Sequence, residues 1–329
     1  MSAETIEWLN ENTLIGFTGK FGHAWHFDGE SDNHYVGPVP VEDVHSRLFS
    51  FEALETPMTI SLPDGALVTD ESRKVIYRSD EPTILGVHRA SYKRHQFGDW
   101  LVSTVADLLD DDLQVGSAGL LRGGAVAWVQ IEMPDNVETP EGVTFRPHLL
   151  AKTSHDGTLA TTYGRSITNT VCDNTMAIAS AEHGGQRFRI RHTSRSEVRL
   201  NDARKALEIV QTMAKDFAAE VAALCAVTVT DAEFDRFLES LVPTPEEDGR
   251  GKTIATNKQA SLRGLWNGDP RVEPWKNTAF GVLQAVNTAS HHVFDVRGDR
   301  EGRNLTKKMY GTFEKEDLRT LELLSGLAA

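Results

Sequence analysis

Two apolar runs, LQVGSAGLL and AVAWVQIEM, face each other across Arg122-Gly123-Gly124, and this stretch constrains the fold most tightly. A glycine pair supplies the positive φ that a tight turn needs, so the two runs are read as an antiparallel hairpin. In the second run Ala127, Val129 and Ile131 alternate with Trp128, Gln130 and Glu132, the pattern of a strand buried on one face. A second hairpin follows. FRPHLLAKTS and TLATTYGRSITNTV flank Asp156-Gly157, a favoured pair for a two-residue type I′ turn in which both residues take positive φ. That register sets Lys152 opposite Thr161, Leu150 opposite Tyr163 and His148 opposite Arg165. One face then packs through Leu149, Ala151, Ala160 and Thr162, the other displays His148, Lys152, Tyr163 and Arg165, and His155 stands at a solvated tip.

Around these hairpins the chain divides by composition. Residues 1–80 hold 14 Asp or Glu against 5 Lys or Arg and are read as an acidic, turn-rich β leader. Residues 81–200 form an α+β core, with a strand in TILGVHRASYKRHQ and a helix that lines up Leu101, Val105 and Leu108. The region 201–329 is helical. Leu207, Val210, Ala214, Phe217, Val221 and Leu224 recur at helical spacing from Ala203 to Ala226, and Thr230 with Glu233 makes a capping box for the next helix. A linker near 242–253, VPTPEEDGRGKT, precedes helices in TAFGVLQAVNTASHHVF and KEDLRTLELLSGL. The predicted class is α+β, with an antiparallel β-meander and hairpins packed on helices and a helical C-terminal part.

Candidate chemistry is sparse. Cys172 and Cys225 lie far apart with no CxxC, which gives neither a disulfide framework nor a zinc site. No basic leader and no run of eighteen apolar residues occurs, so a cytoplasmic protein without membrane contact is expected. His23 and His26 have HxxH spacing but no helix to carry it. His291-His292 are adjacent and diverge on a helix, and Asp110-Asp111-Asp112 read as a solvated helix end. GSAGLLRGG is neither a Walker A loop nor GxGxxG, and GxSxG does not occur. His155-Asp156 suggests a general base with its carboxylate, yet adjacent strand residues point to opposite faces, which favours the hairpin reading. No catalytic residue, metal or cofactor is assigned.

One constellation stands above this background. In RFRIRHTSRSEVRL, Arg187, Arg189 and Arg191 alternate with Phe188 and Ile190, so a strand holds the guanidinium groups on one face with apolar side chains behind. The bland alternative is an edge strand kept soluble by charge. Guanidinium suits bidentate phosphate contact, and the candidate nucleic-acid site comprises Lys152, Tyr163, Arg165, Arg187, Arg189, Arg191, Arg195 and Arg199, with Tyr163 as a base-stacking ring. The net charge of −14 excludes a protein that coats nucleic acid with its whole surface, but not one with a basic face.

The segments NTLIGFTGKFGHAWH, SAGLLRGGAVAW, LLAKTSHDGT, TVCDNTM and RFRIRHTSRSEVRL together resemble the phage/plasmid-like protein family that carries a domain of unknown function (number 932). Ser-His-Asp-Gly, Val171 to Thr175 and Arg191 to Thr193 carry the resemblance most specifically. RSITNTVC is poorer in Val and Pro than the family's usual segment. The resemblance implies a role in a mobile element and no established activity. The order of elements is also similar to that of phage single-strand annealing proteins of the RecT, Red-beta and Erf type. It implies a non-enzymatic, homo-oligomeric protein holding single-stranded DNA in a basic groove. Two rivals stand beside this reading. One is an acidic factor that binds a host protein through residues 1–80; the other is a metal-dependent nuclease using His155, Asp156 and Asp173.

Overall fold

The computed structural model describes residues 6–21, 32–106, 109, 113–133, 135–169, 174–176, 187–193, 210–296, 298 and 300–327. The fold is α+β, and every strand pairing below is antiparallel. Two compact units make up the chain. Unit 1 comprises 1–134, 148–165 and 186–211, and unit 2 comprises 135–147, 166–185 and 212–329.

In unit 1, β1 (Thr13–Ile15) pairs with β5 (Gln114–Leu121), and β5 with β6 (Val126–Glu132). β6 then pairs with β8 (Thr144–Ser154), which neighbours β9 (Thr161–Asn169). The Arg122 turn is as the sequence requires. Arg122, Gly123 and Gly124 take φ of 56°, 62° and 88°, and Leu121 pairs with Val126. A separate sheet has the order β2 (Ala53–Ser61), β3 (Leu67–Arg78), β4 (Ile84–Arg89).

Two expectations about faces are overturned. β6 is not half-buried, because Trp128 and Glu132 are as inaccessible as Val129 and Ile131. Side chains on both faces of the strand are covered. The supposed display face of β8 is likewise inside, with His148 at 0% and Lys152 at 8% exposure. A strand covered on both sides loses the alternation by which a half-buried strand is recognised.

Unit 2 holds β7 (Val137–Glu138), paired with the start of β8, and β10 (Asn174–Met176), paired with the end of β9. Its helices Val210–Ala226, Asp231–Leu241, Arg250–Gly268, Ala279–Thr288, Arg300–Tyr310 and Thr312–Leu327 surround two apolar clusters. Phe145 meets Phe217 at 4.4 Å in one, and Phe234 stacks on Trp266 at 4.5 Å in the other. The expected capping box is present. The Glu233 backbone N–H donates to Thr230 Oγ1 at 3.3 Å and the Thr230 N–H to Glu233 Oε2 at 2.8 Å. Residues 203–209 of the predicted long helix lie outside the described residues, as do Leu108, His23, His26 and the Asp110 run. The linker is shorter than expected, since Arg250 already begins a helix.

Candidate nucleic-acid interface and the ring column behind it

The Asp156-Gly157 connection is not a two-residue type I′ turn. β8 ends at Ser154 and β9 begins at Thr161, so the loop runs from 155 to 160, and of the Asp-Gly pair only Gly157 has positive φ (75°). Asp156 instead organises the loop with its carboxylate. Oδ1 accepts the Thr158 backbone N–H at 2.9 Å and the Thr158 hydroxyl, and Oδ2 accepts Arg122 Nη1 at 2.7 Å. Burial works to raise the Asp156 pKa, but the bonds from Thr158 and Arg122 outweigh it and hold the carboxyl below its ordinary range.

His155 is not at a solvated tip either. It is 1% exposed, its N–H donates to Ala125 O at 2.7 Å, and its ring lies against Phe97 at 4.3 Å. Burial, helped by His192 and His88, pushes its pKa down to about 3. Asp156 is bound to Arg122 and Thr158 while the His155 ring is packed on Phe97, so the pair makes no acid–base dyad. Among the described residues no group of three His, Cys, Asp or Glu is placed to hold a metal, and Asp173 lies outside them.

Around this loop unit 1 assembles a column of five rings from two distant segments, residues 88–100 and His192. His88 stacks on Tyr92 (3.9 Å), Tyr92 on His192 (4.9 Å), His192 on His95 (3.9 Å) and His95 on Trp100 (3.7 Å), with interplanar angles between 5° and 16°. Polar bonds fix the column laterally. His88 Nε2 donates to His155 O at 2.6 Å, and the Tyr92 hydroxyl to Ser154 O at 3.0 Å. His192 Nδ1 lies 2.9 Å from Lys93 O and must carry the proton there, since a carbonyl only accepts. His192 Nε2 therefore accepts the Thr153 hydroxyl at 3.2 Å. Thr153 Oγ1 in turn accepts from Thr161 Oγ1 at 2.7 Å, and Thr161 Oγ1 accepts from His95 Nδ1 at 2.6 Å. One assignment of protons gives each of these bonds one donor and one acceptor. Burial, then the neighbouring imidazoles, lowers His95 to about 2; burial lowers His192 to about 4 against its bond to Lys93. His95 and His192 are therefore neutral at physiological pH.

Its consequence is to tie down β11 (Arg187–Ile190), which pairs with β9 and ends two residues before His192. Ile190 is fully buried opposite Thr161, while Arg189 and Arg191 are exposed. Exposed Lys93 is joined to the same segment, because its N–H donates to His192 O at 3.4 Å. The other members of the expected site fare differently. Tyr163 is 1% exposed with its hydroxyl donating to Trp100 O, so its ring has no face to offer a base, and Lys152 is inside the sheet. The side chains of Arg165 and Arg187, and the whole of Arg195 and Arg199, lie outside the described residues. The sequence reading missed His88, Tyr92, His95 and His192 as a group. Their only signal was that Arg-His-Thr and Ser-His-Asp-Gly stood out as distinctive segments, and the fold brings those two together.

Fold and site define an α+β protein whose arginine-bearing edge strand is anchored by the half-buried, neutral His192 stacked on the buried His95. The chain belongs to the family described as Domain of unknown function (DUF932), whose model matches residues 84–310, from the first residue of β4 through the ring column to the helix ending at Tyr310. No curated protein and no solved structure matches the chain. No helix among the described residues is long and apolar enough to cross a membrane.

Proposed function

We propose that this chain binds single-stranded nucleic acid along β11 and serves, as a non-enzymatic homo-oligomer, in strand annealing or recombination of a phage or plasmid. The carrying observation is the exposure of Arg189 on β11 and of Arg191 just past its end, on either side of a fully buried Ile190, in a segment clamped to the body of unit 1 through His192. Guanidinium groups held at fixed spacing on a rigid strand lose little entropy on meeting phosphates. Lys93 extends the cationic line next to Arg191, whereas Tyr163 and Lys152 drop out of the contact set. Half-exposed His88 and Tyr92 supply ring edges nearby in place of the buried tyrosine.

The test is fluorescence anisotropy with a single-stranded oligonucleotide over a salt series. Replacing Arg189 and Arg191 together by Ala is expected to weaken binding and flatten the log-log salt slope by about 1.4, two phosphate contacts at the single-strand value. Identical slopes for parent and variant overturn the assignment.

A further inference from the structure

The sheet β2-β3-β4 is inverted relative to ordinary surface sheets, whose solvent face is polar. Directly paired residues share a face, so the register sorts the side chains. Ala53 and Ile76, both at 0% exposure, lie on the inward face. The opposite face carries Ile60 beside Val68, Thr56 beside Val75, Val75 beside Val87 and Tyr77 beside Ile84. Ile60, Val68, Ile84 and Val87 are 48%, 47%, 65% and 48% exposed, and Leu62, in line with Ile60, is 37% exposed. Ile60, Val68, Ile84, Val87 and Leu62 thus stand in water, Ile60 and Val68 beyond the register shift between Pro57 and Met58 and with Leu67 at 72% exposure on the reverse face, and a soluble chain retains such aliphatic surface where something covers it.

We infer that this outer face is a self-association surface and that its occupant is the same face of a second copy. Charge points to that occupant. The chain carries −14 overall, so most of its surface repels a copy of itself. This face instead bears Asp70, Arg73 and Arg89, with Arg73 Nε 3.8 Å from Asp70 Oδ2. It is nearly neutral and holds both signs, and two copies related by a two-fold axis can set cation against anion around the aliphatic centre. Packing is face to face and not through the strand edge. Pro57 has no N–H to give, and the ladder is broken by a register shift between Pro57 and Met58. β2 and β3 precede the segment matched by the family model, and β4 lies within it. The inference rests on the homo-oligomer of the proposed function and names its surface, while it uses none of the residues assigned to nucleic-acid contact.

Sedimentation equilibrium of the full chain at micromolar concentration tests it. The parent is expected to sediment as a dimer or a higher even multimer, and Ile60→Lys with Val87→Lys as a half-size species with unchanged far-ultraviolet dichroism. Should the lysine pair fail to fold, Ile60→Ser with Val87→Thr is expected to raise the dissociation constant at least tenfold. A monomeric parent, or a folded variant with the parent's mass and affinity, overturns the assignment. The Arg189→Ala, Arg191→Ala protein keeps the parent's mass whichever way its nucleic-acid binding falls, which separates the two readings.

Discussion

A histidine reads the same in sequence whether it faces solvent or lies in a core, and His155 shows the consequence. Beside Asp-Gly it has every mark of a turn residue, and local reasoning leaves it in water. Its burial is decided by Phe97 and Ala125, which no window around residue 155 contains. His155→Ala, which costs almost nothing at an exposed tip, is therefore expected to destabilise unit 1 by about 2 kcal/mol through lost ring packing. Urea unfolding of parent and variant measures this, and a difference under about 0.5 kcal/mol returns the residue to the surface. The arginines were more legible. Alternation with Ile190 fixed which face Arg189 takes, because strand period is a property of the backbone and needs no knowledge of partners.

Among elements, those whose apolar residues repeat at one period were readable, and those whose buried positions are polar were not. The helix after Thr230 announces itself by a capping box, and Ala279–Thr288 by its apolar run. Arg250–Gly268 escaped because its buried line passes through Gln259, whose amide donates to Glu239 Oε2 and Val242 O, both at 2.8 Å. Composition cannot distinguish a satisfied buried amide from a solvated one. The 155–160 loop fails for a related reason, since its shape rests on a carboxylate bonded to Arg122 across the sheet and not on a turn type. Asp156→Asn is accordingly expected to cost about 1–2 kcal/mol, as one carbonyl oxygen cannot serve both Thr158 and Arg122. Gly157→Ala is expected to cost at least about 1 kcal/mol, because φ is 75° and an added Cβ lies 2.9 Å from His88 Cε1. Thermal melts of the two variants decide it; a silent Asn substitution leaves the carboxylate without its architectural role.

At the scale of the whole molecule, the α+β class followed from two hairpins and a helical tail, but the two units could not be seen, because each is assembled from segments that alternate along the chain. What the units share is buried, neutral histidine. His95 and His155 in unit 1 and His291 in unit 2 are all under 5% exposed, and burial lowers their pKa values to about 2, about 3 and about 3. His291 is stacked on Phe313 at 3.7 Å, with His292, Lys307 and Lys308 adding to the depression. Each imidazole binds its proton more weakly in the folded chain than in the unfolded one, where it titrates near 6.5. Their contribution is therefore complete above about pH 6.5 and is lost as pH falls toward 3. The depressed carboxylates, Asp156 and Glu55 among them, act in a lower window, losing their contribution as pH falls through and below about 4. Between pH 6.5 and 5 the histidines are thus separable from the acids. Unfolding at pH 5 is expected to take up about four protons, one each for His95, His155, His192 and His291, and if the units melt in separate steps both melting temperatures fall over this interval. Calorimetry at pH 7, 6 and 5 reads this directly. A flat profile for unit 1 means that His95 and His155 are not held neutral in a closed core, and the column that anchors β11 is then open to water.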